Sequence, residues 1–212
     1  SPVNSATNWY SVASSSDGSR LADGVRSATL SPSSNYGANW TQQSGSSSLN
    51  WKGIASSADG SRLAAVVYGG KIYTSQDYGV TWSQQTNAPS TNWTSIASSS
   101  DGSRLVAVVG GSGGIYLSVN SGYTWAKQPV ADQNWLGVAC SADCTKMAAV
   151  YYTAGNSGGI YYGQSLLQPT TISTTAGTVG AISGSQGSAV ELQYIGNGQF
   201  MPVSSAGAIW AN

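Results

Sequence analysis

Trp51-Lys52-Gly53-Ile54-Ala55-Ser56-Ser57-Ala58-Asp59-Gly60-Ser61-Arg62-Leu63 returns 42 residues later as Trp93-Thr94-Ser95-Ile96-Ala97-Ser98-Ser99-Ser100-Asp101-Gly102-Ser103-Arg104-Leu105. The Asn-Trp pair at the head of each copy recurs at Asn8-Trp9, Asn50-Trp51, Asn92-Trp93 and Asn134-Trp135, each Trp 42 residues after the one before. A fixed period of this length marks a chain made of supersecondary units that bury their apolar sides against one another.

Within one copy the text reads as four short strands: Trp51 to Ser56, Arg62 to Val67, Lys71 to Ser75 and Thr81 to Gln85. Asp59-Gly60, Gly69-Gly70 and Asp77 to Gly79 punctuate them, because tight hairpin turns need positive φ and these residues tolerate it. Four hairpin-linked strands make one blade, and a blade with two apolar faces packs face to face with the next.

The third turn carries the most specific motif, Ser75-Gln76-Asp77-Tyr78-Gly79-Val80-Thr81-Trp82. Two further copies, Ser33-Ser34-Asn35-Tyr36-Gly37-Ala38-Asn39-Trp40 and Ser118-Val119-Asn120-Ser121-Gly122-Tyr123-Thr124-Trp125, keep the Ser, Gly and Trp and place Asn where the second copy has Asp. Asp or Asn accepts N–H groups of its own turn, Gly takes the positive-φ position, and Trp packs beneath the loop. The pattern, over roughly residues 8–165, resembles the Asp-box (BNR) repeats of sialidase-like β-propellers. That resemblance implies an all-β fold, a small β-propeller of four-stranded antiparallel blades, about five in number. It implies a structural role for Ser33, Asn35, Gly37, Trp40, Ser75, Asp77, Gly79, Trp82, Ser118, Asn120, Gly122 and Trp125, away from any central site.

The repeats divide as residues 8–49, 50–91, 92–133 and 134–167, with a first domain of 1–167. The first copy departs at Leu21-Ala22-Asp23-Gly24-Val25-Arg26, two charges in a strand that is apolar elsewhere, read as an edge device or as a binding patch. The fourth loses its third turn, and its Cys140 and Cys144 replace Ser98 and Gly102, so a disulfide there staples one hairpin, stabilising it by about 2 kcal/mol. Residues 168–212 change text and end in a hairpin around Gly196-Asn197-Gly198, either a divergent fifth blade or a β appendage through which copies join into a homo-oligomer or polymer.

Charged residues are 8% of the chain against roughly a quarter in ordinary proteins, and eight Lys and Arg balance eight Asp and Glu. Neither nucleic acid nor a membrane span fits such a chain, whose apolar runs are strand-sized. Histidine is absent, which removes the commonest general base and metal ligand. Asp17, Asp59, Asp101 and Asp143 are one turn residue copied four times and Asp77 belongs to the third-turn motif, leaving Asp23, Asp132 and Glu191 too scattered for a glycosidase pair. The chain reads as a non-enzyme with no cofactor, no metal and no catalytic residue. Its start at Ser1 suits a processed secretory product, and its location is read as extracellular.

Eight Trp and twelve Tyr remain among Ser, Asn and Gln. Tyr36 and Tyr78 sit where a turn side chain projects outward, Tyr68 stands beside Gly69-Gly70, and Arg26 is the arginine outside the repeat pattern. Exposed aromatics stack on sugar rings while amides bond the hydroxyls, so Tyr36, Tyr78, Tyr68 and Arg26 are the candidate ligand-binding residues of a secreted, lectin-like module for glycans or polysaccharide. A structural, self-assembling surface or filament protein is the alternative, and a glycoside hydrolase the remoter one.

Overall fold

In the turn at Asp59, the Ser57 hydroxyl donates to Asp59 Oδ1 at 2.6 Å, the Ser61 N–H donates to the same oxygen at 3.0 Å, and the Arg62 N–H donates to Ser57 Oγ at 3.0 Å. Gly60 takes φ 74°. The same network surrounds Asp17, Asp101 and Asp143. Donors from Ser side chains and from the turn backbone hold the carboxyls of Asp17, Asp59 and Asp101 down at about 2. In the fourth copy Cys144, at φ 49°, stands where the others have Gly, and it is bonded to Cys140 with the two Cα atoms 4.9 Å apart.

The computed structural model describes residues 9–43, 46, 48–153, 157–164, 182–184, 189–196, 199–206 and 209–211. The chain falls into two compact units, Ser1–Ser165 and Leu166–Asn212. In the first unit the strands are β1 (Trp9–Ser14), β2 (Leu21–Ala28), β3 (Pro32–Ser33), β4 (Leu49–Ser56), β5 (Leu63–Gly70), β6 (Ile72–Ser75), β7 (Ser83–Gln85), β8 (Thr91–Ser98), β9 (Leu105–Val109), β10 (Ile115–Ser118), β11 (Ala126–Lys127), β12 (Asn134–Cys140), β13 (Lys146–Thr153) and β14 (Ser157–Gln164). In the second unit β15 (Ile182–Gly184) pairs with β18 (Ile209–Ala211), and β16 (Ala189–Gly196) pairs antiparallel with β17 (Gln199–Ala206). The Asn197-Gly198 turn expected there lies outside the described residues.

The all-β class holds, but the propeller does not. Strands β1 to β11 form one open, curled sheet of 11 strands among the described residues, and β12-β13-β14 form a separate three-stranded sheet. Separate four-stranded blades, about five of them in a closed ring, are therefore corrected, and with them the Asp-box (BNR) propeller family that the turn motif suggested. The physical reason lies at the ends of the second strands. β5 runs on through Gly69, at φ 74°, to Gly70, beyond the reach of β4. The backbone groups left there are satisfied by the next repeat, Tyr68 opposite Asn92 and Gly70 opposite Thr91. β2 does the same one repeat earlier, with Arg26 opposite Asn50 and Ala28 opposite Leu49. Hydrogen bonding thus passes from repeat to repeat where blades would have met through side chains alone.

The core also lies between repeats. Ala55, Ala64, Val66, Ile72 and Ala88 of the second repeat close against Trp93, Ile96, Leu105, Ala107 and Val109 of the third. Ala22 and Leu30 of the first close likewise against Trp51, Ile54, Leu63, Ala65 and Val67 of the second. Each buried Trp is flanked by rings of its own repeat: Trp51 by Tyr73 and Trp82, Trp93 by Tyr116 and Trp125, and Trp135 by Tyr151 and Tyr161. Across the hairpin tips a main-chain ladder joins all four repeats. The Ser16 N–H donates to the Ala58 carbonyl at 2.7 Å, Ala58 N–H to Ser100 at 2.7 Å, and Ser100 N–H to Ala142 at 2.6 Å.

Asp23 is neither an exposed edge charge nor part of a surface patch. It is 2% exposed, where the other repeats bury Ala65, Ala107 and Ala149. Its Oδ1 accepts the Ser31 N–H at 2.8 Å, and its Oδ2 has no partner among the described residues. Burial pushes its carboxyl up to about 6, against the pull of the Ser31 amide. A folded-state value above the unfolded 3.8 means that folding favours the protonated form, so stability is highest below the unfolded value and declines as pH rises through about 6. Asp23→Asn keeps the acceptor without the charge. Urea unfolding at pH 4 and at pH 7 is expected to show the wild type losing about 2 kcal/mol relative to the variant over that range, the titration of the other carboxyls being common to both.

Candidate functional site

The Ser-x-Asp/Asn-x-Gly turns share one geometry. In the second repeat the Gly79 N–H donates to Ser75 Oγ at 2.9 Å, the Thr81 N–H to Asp77 Oδ1 at 2.9 Å, and the Trp82 indole N–H to the Gly79 carbonyl at 3.0 Å. Asn35 and Asn120 accept the equivalent N–H groups of Asn39 and Thr124, with Trp40 and Trp125 bonded back to Gly37 and Gly122. Gly79 has φ 85°, and a Cβ there would lie 3.0 Å from Leu63 and 3.4 Å from Pro32 of the first repeat. Glycine therefore lets the turn settle onto its neighbour as well as supplying the backbone angle.

This turn places Tyr78, at φ 62°, on the wall of a cleft of about 300 Å³ between the first and second repeats. Arg20 lies across the ring, its guanidinium carbon 3.7 Å from the centroid. Leu21, Pro32, Leu63 and Val80 supply the apolar lining. The polar lining includes Ser33, Ser34, Asn35, Asn39, Thr41 and Gln43, and no carboxylate among the described residues borders the cleft. Its wall is aromatic, hydroxylated and amide-rich, with a single cation already stacked on Tyr78.

The corresponding place between the second and third repeats is nearly shut, at about 10 Å³. There Arg62 donates to Ser121, the residue equivalent to Tyr78, at 3.0 Å. The buried Gln85 amide donates to Thr74 Oγ1 at 2.6 Å. In the first repeat Pro32 stands in the place of Thr74, and Gln43, equivalent to Gln85, borders the cleft.

Of the candidate residues, Tyr78 is brought to the cleft. Tyr36 stands 73% exposed on the turn beside the lining residue Asn35, and Tyr68 is exposed on β5 opposite Asn92. The Arg26 backbone pairs with Asn50, and its side chain lies outside the described residues. Sequence reasoning missed Arg20, Asn39, Thr41 and Gln43. Among the described residues no group of three or more His, Cys, Asp or Glu could hold a metal ion, and no helix is long and apolar enough to cross a membrane.

No family model matches this sequence, and no curated protein matches it. Solved structures do. YCF48 bound to D1 peptide aligns at TM-score 0.56 and 15% identity over 87% of this chain and 64% of that one. The GH74 xyloglucanase from Xanthomonas campestris aligns at TM-score 0.57 and 16% identity over 72% and 28%, and Kuenenia stuttgartiensis hydrazine synthase at 0.62 and 11% over 86% and 57%. The likeness is one of fold. The chain spans less than two thirds of each of these three, whose named activities range from peptide binding to polysaccharide cleavage.

The three turns differ at one acceptor, and their shared geometry makes a prediction. Asp77→Asn is expected to cost under about 1 kcal/mol, since Asn35 and Asn120 do the same work, whereas Asp77→Ala strips the Thr81 N–H of its acceptor and costs about 1–2 kcal/mol in urea unfolding.

Proposed function

We propose that this protein is a non-catalytic, extracellular carbohydrate-binding module whose site is the cleft between the first two repeats. The observation that carries the reading is Tyr78 standing on a charge-poor cleft wall beside the amides of Asn35, Asn39 and Gln43. An aromatic face takes the C–H side of a pyranose, and amides and hydroxyls replace the water around its hydroxyl groups. Arg20 buttresses the Tyr78 ring. The cleft is at the small end of ligand sites, a size suited to one or two sugar units.

A cleft lining with no carboxylate among the described residues favours binding over cleavage, because hydrolysis of a glycosidic bond uses two carboxyl groups placed across it. That the fold also serves a xyloglucanase is consistent with a polysaccharide ligand here. The Cys140–Cys144 disulfide supports an oxidising, extracellular setting.

A glycan array followed by titration calorimetry tests the reading. Saturable binding to a related set of neutral glycans is expected, weakened about tenfold or more by Tyr78→Ala and by Gln43→Ala and left unchanged by Tyr68→Ala. A blank array, or binding that Tyr78→Ala leaves intact, overturns it.

A further inference from the structure

The first and fourth repeats each expose one half of the interface that joins neighbouring repeats. In the second repeat Ala64, Val66 and Ile72 are covered by the third, at 2%, 0% and 0% exposure. Their equivalents in the fourth are Ala148, Val150 and Ile160. Val150 is 41% exposed and Ile160 75%, and Tyr162 beside them is 64% exposed. At the other end, Trp51 and Ile54 are buried against the first repeat at 0% and 5%, while their equivalents Trp9 and Val12 are 47% and 66% exposed. Asp23 also belongs to this end but is itself buried, held by the Ser31 amide, and so is not presented to a mate.

Three polar features run the same way. The tip ladder leaves the Ala142 N–H without an acceptor and the Ser16 carbonyl without a donor among the described residues, so one end offers what the other lacks. Ser11, Gly53, Ser95 and Gly137 hold one position in the four repeats. Ser11 Oγ accepts the Ile54 N–H at 3.1 Å and Ser95 Oγ the Val138 N–H at 3.3 Å, while a Cβ on Gly53 would sit 3.3 Å from Ser95 Cα. The Ser-Gly-Ser-Gly alternation continues in step when Gly137 meets another Ser11. Lastly, Arg20 reaches Tyr78 and lies under Gly60, and Arg62 reaches Ser121 and lies under Gly102. The fourth-repeat equivalent, Lys146, is exposed, and so is Tyr36, while Gly18 has nothing within 4 Å of its Cβ position.

We propose that the fourth repeat of one molecule docks on the first repeat of a second copy, head to tail, repeating the internal interface. The contact is heterologous: Val150, Ile160 and Tyr162 of one copy cover Trp9 and Val12 of the next, with Lys146 against Tyr36. It rests on the repeat interface and not on the sugar cleft.

Sedimentation of the full chain tests it, using Val12→Glu and Ile160→Glu. Both positions are exposed, so both variants are expected to melt with the wild type, and Tyr162→Glu replaces Ile160→Glu if that variant melts early. The wild type is expected to gain mass with concentration, and each variant alone to remain a monomer. Mixed in equal amounts, the two variants are expected to form a 1:1 dimer and stop there, because each retains one intact end. A wild type that stays monomeric at its highest soluble concentration overturns the proposal. So do single variants that still associate, or a mixture that does not pair.

Discussion

Each repeat is a thin antiparallel sheet with apolar side chains on both faces, and a thin sheet of this kind cannot cover itself. Val66 and Ile72 lie on one face of the second repeat and Trp51 and Ile54 on the other, and all four are buried because a neighbouring repeat lies over each face. The other features follow from that constraint. Gly53 sits where a Cβ would crowd the next repeat, 3.3 Å from Ser95 Cα, and the hairpin tips are near enough to share main-chain hydrogen bonds. With charge scarce, the surface left to solvent is hydroxyls, amides and tyrosines.

Much of this was legible in the text. The 42-residue period and the Asp-Gly and Ser-x-Asp/Asn-x-Gly turns locate the repeats and their hairpins, because turn chemistry is local and a repeated sequence repeats its local geometry. The closed propeller was not there to be read. Periodicity says that units stack, but it is silent on whether neighbours meet by side chains or by backbone, and that depends on where β2 and β5 end. Gly69-Gly70 was read as a turn because two glycines tolerate one. The backbone instead bulges at Gly69 and continues to pair with β8. Asp23 was misread for a related reason: a charge in a strand suggests exposure until the carboxylate is seen standing in as the acceptor for the Ser31 amide.

The candidate site shows how two equivalent seams of a repetitive scaffold come to differ. The same seam exists between the first and second repeats and between the second and third, yet it is open at about 300 Å³ in one and about 10 Å³ in the other. The difference traces to two substitutions. Tyr78 against Ser121 changes what the arginine of the preceding repeat grips, and Pro32 stands where the second repeat has Thr74. Tyr78 could be picked out from its turn position, but Gln43 could not, because Trp40-Thr41-Gln42-Gln43 repeats the local text of Trp82-Ser83-Gln84-Gln85.

Amide hydrogen exchange at the hairpin tips tests the backbone joining of repeats most directly. Ala58 and Ser100 lie at the ends of turns, where an amide of an isolated blade exchanges freely, but here each donates to the next repeat, whereas Ala142 has no acceptor among the described residues. On dilute protein the account predicts slow exchange at Ala58 and Ser100 and fast exchange at Ala142. Equally fast exchange at all three would contradict it, because the tip ladder would then hold no repeat to the next.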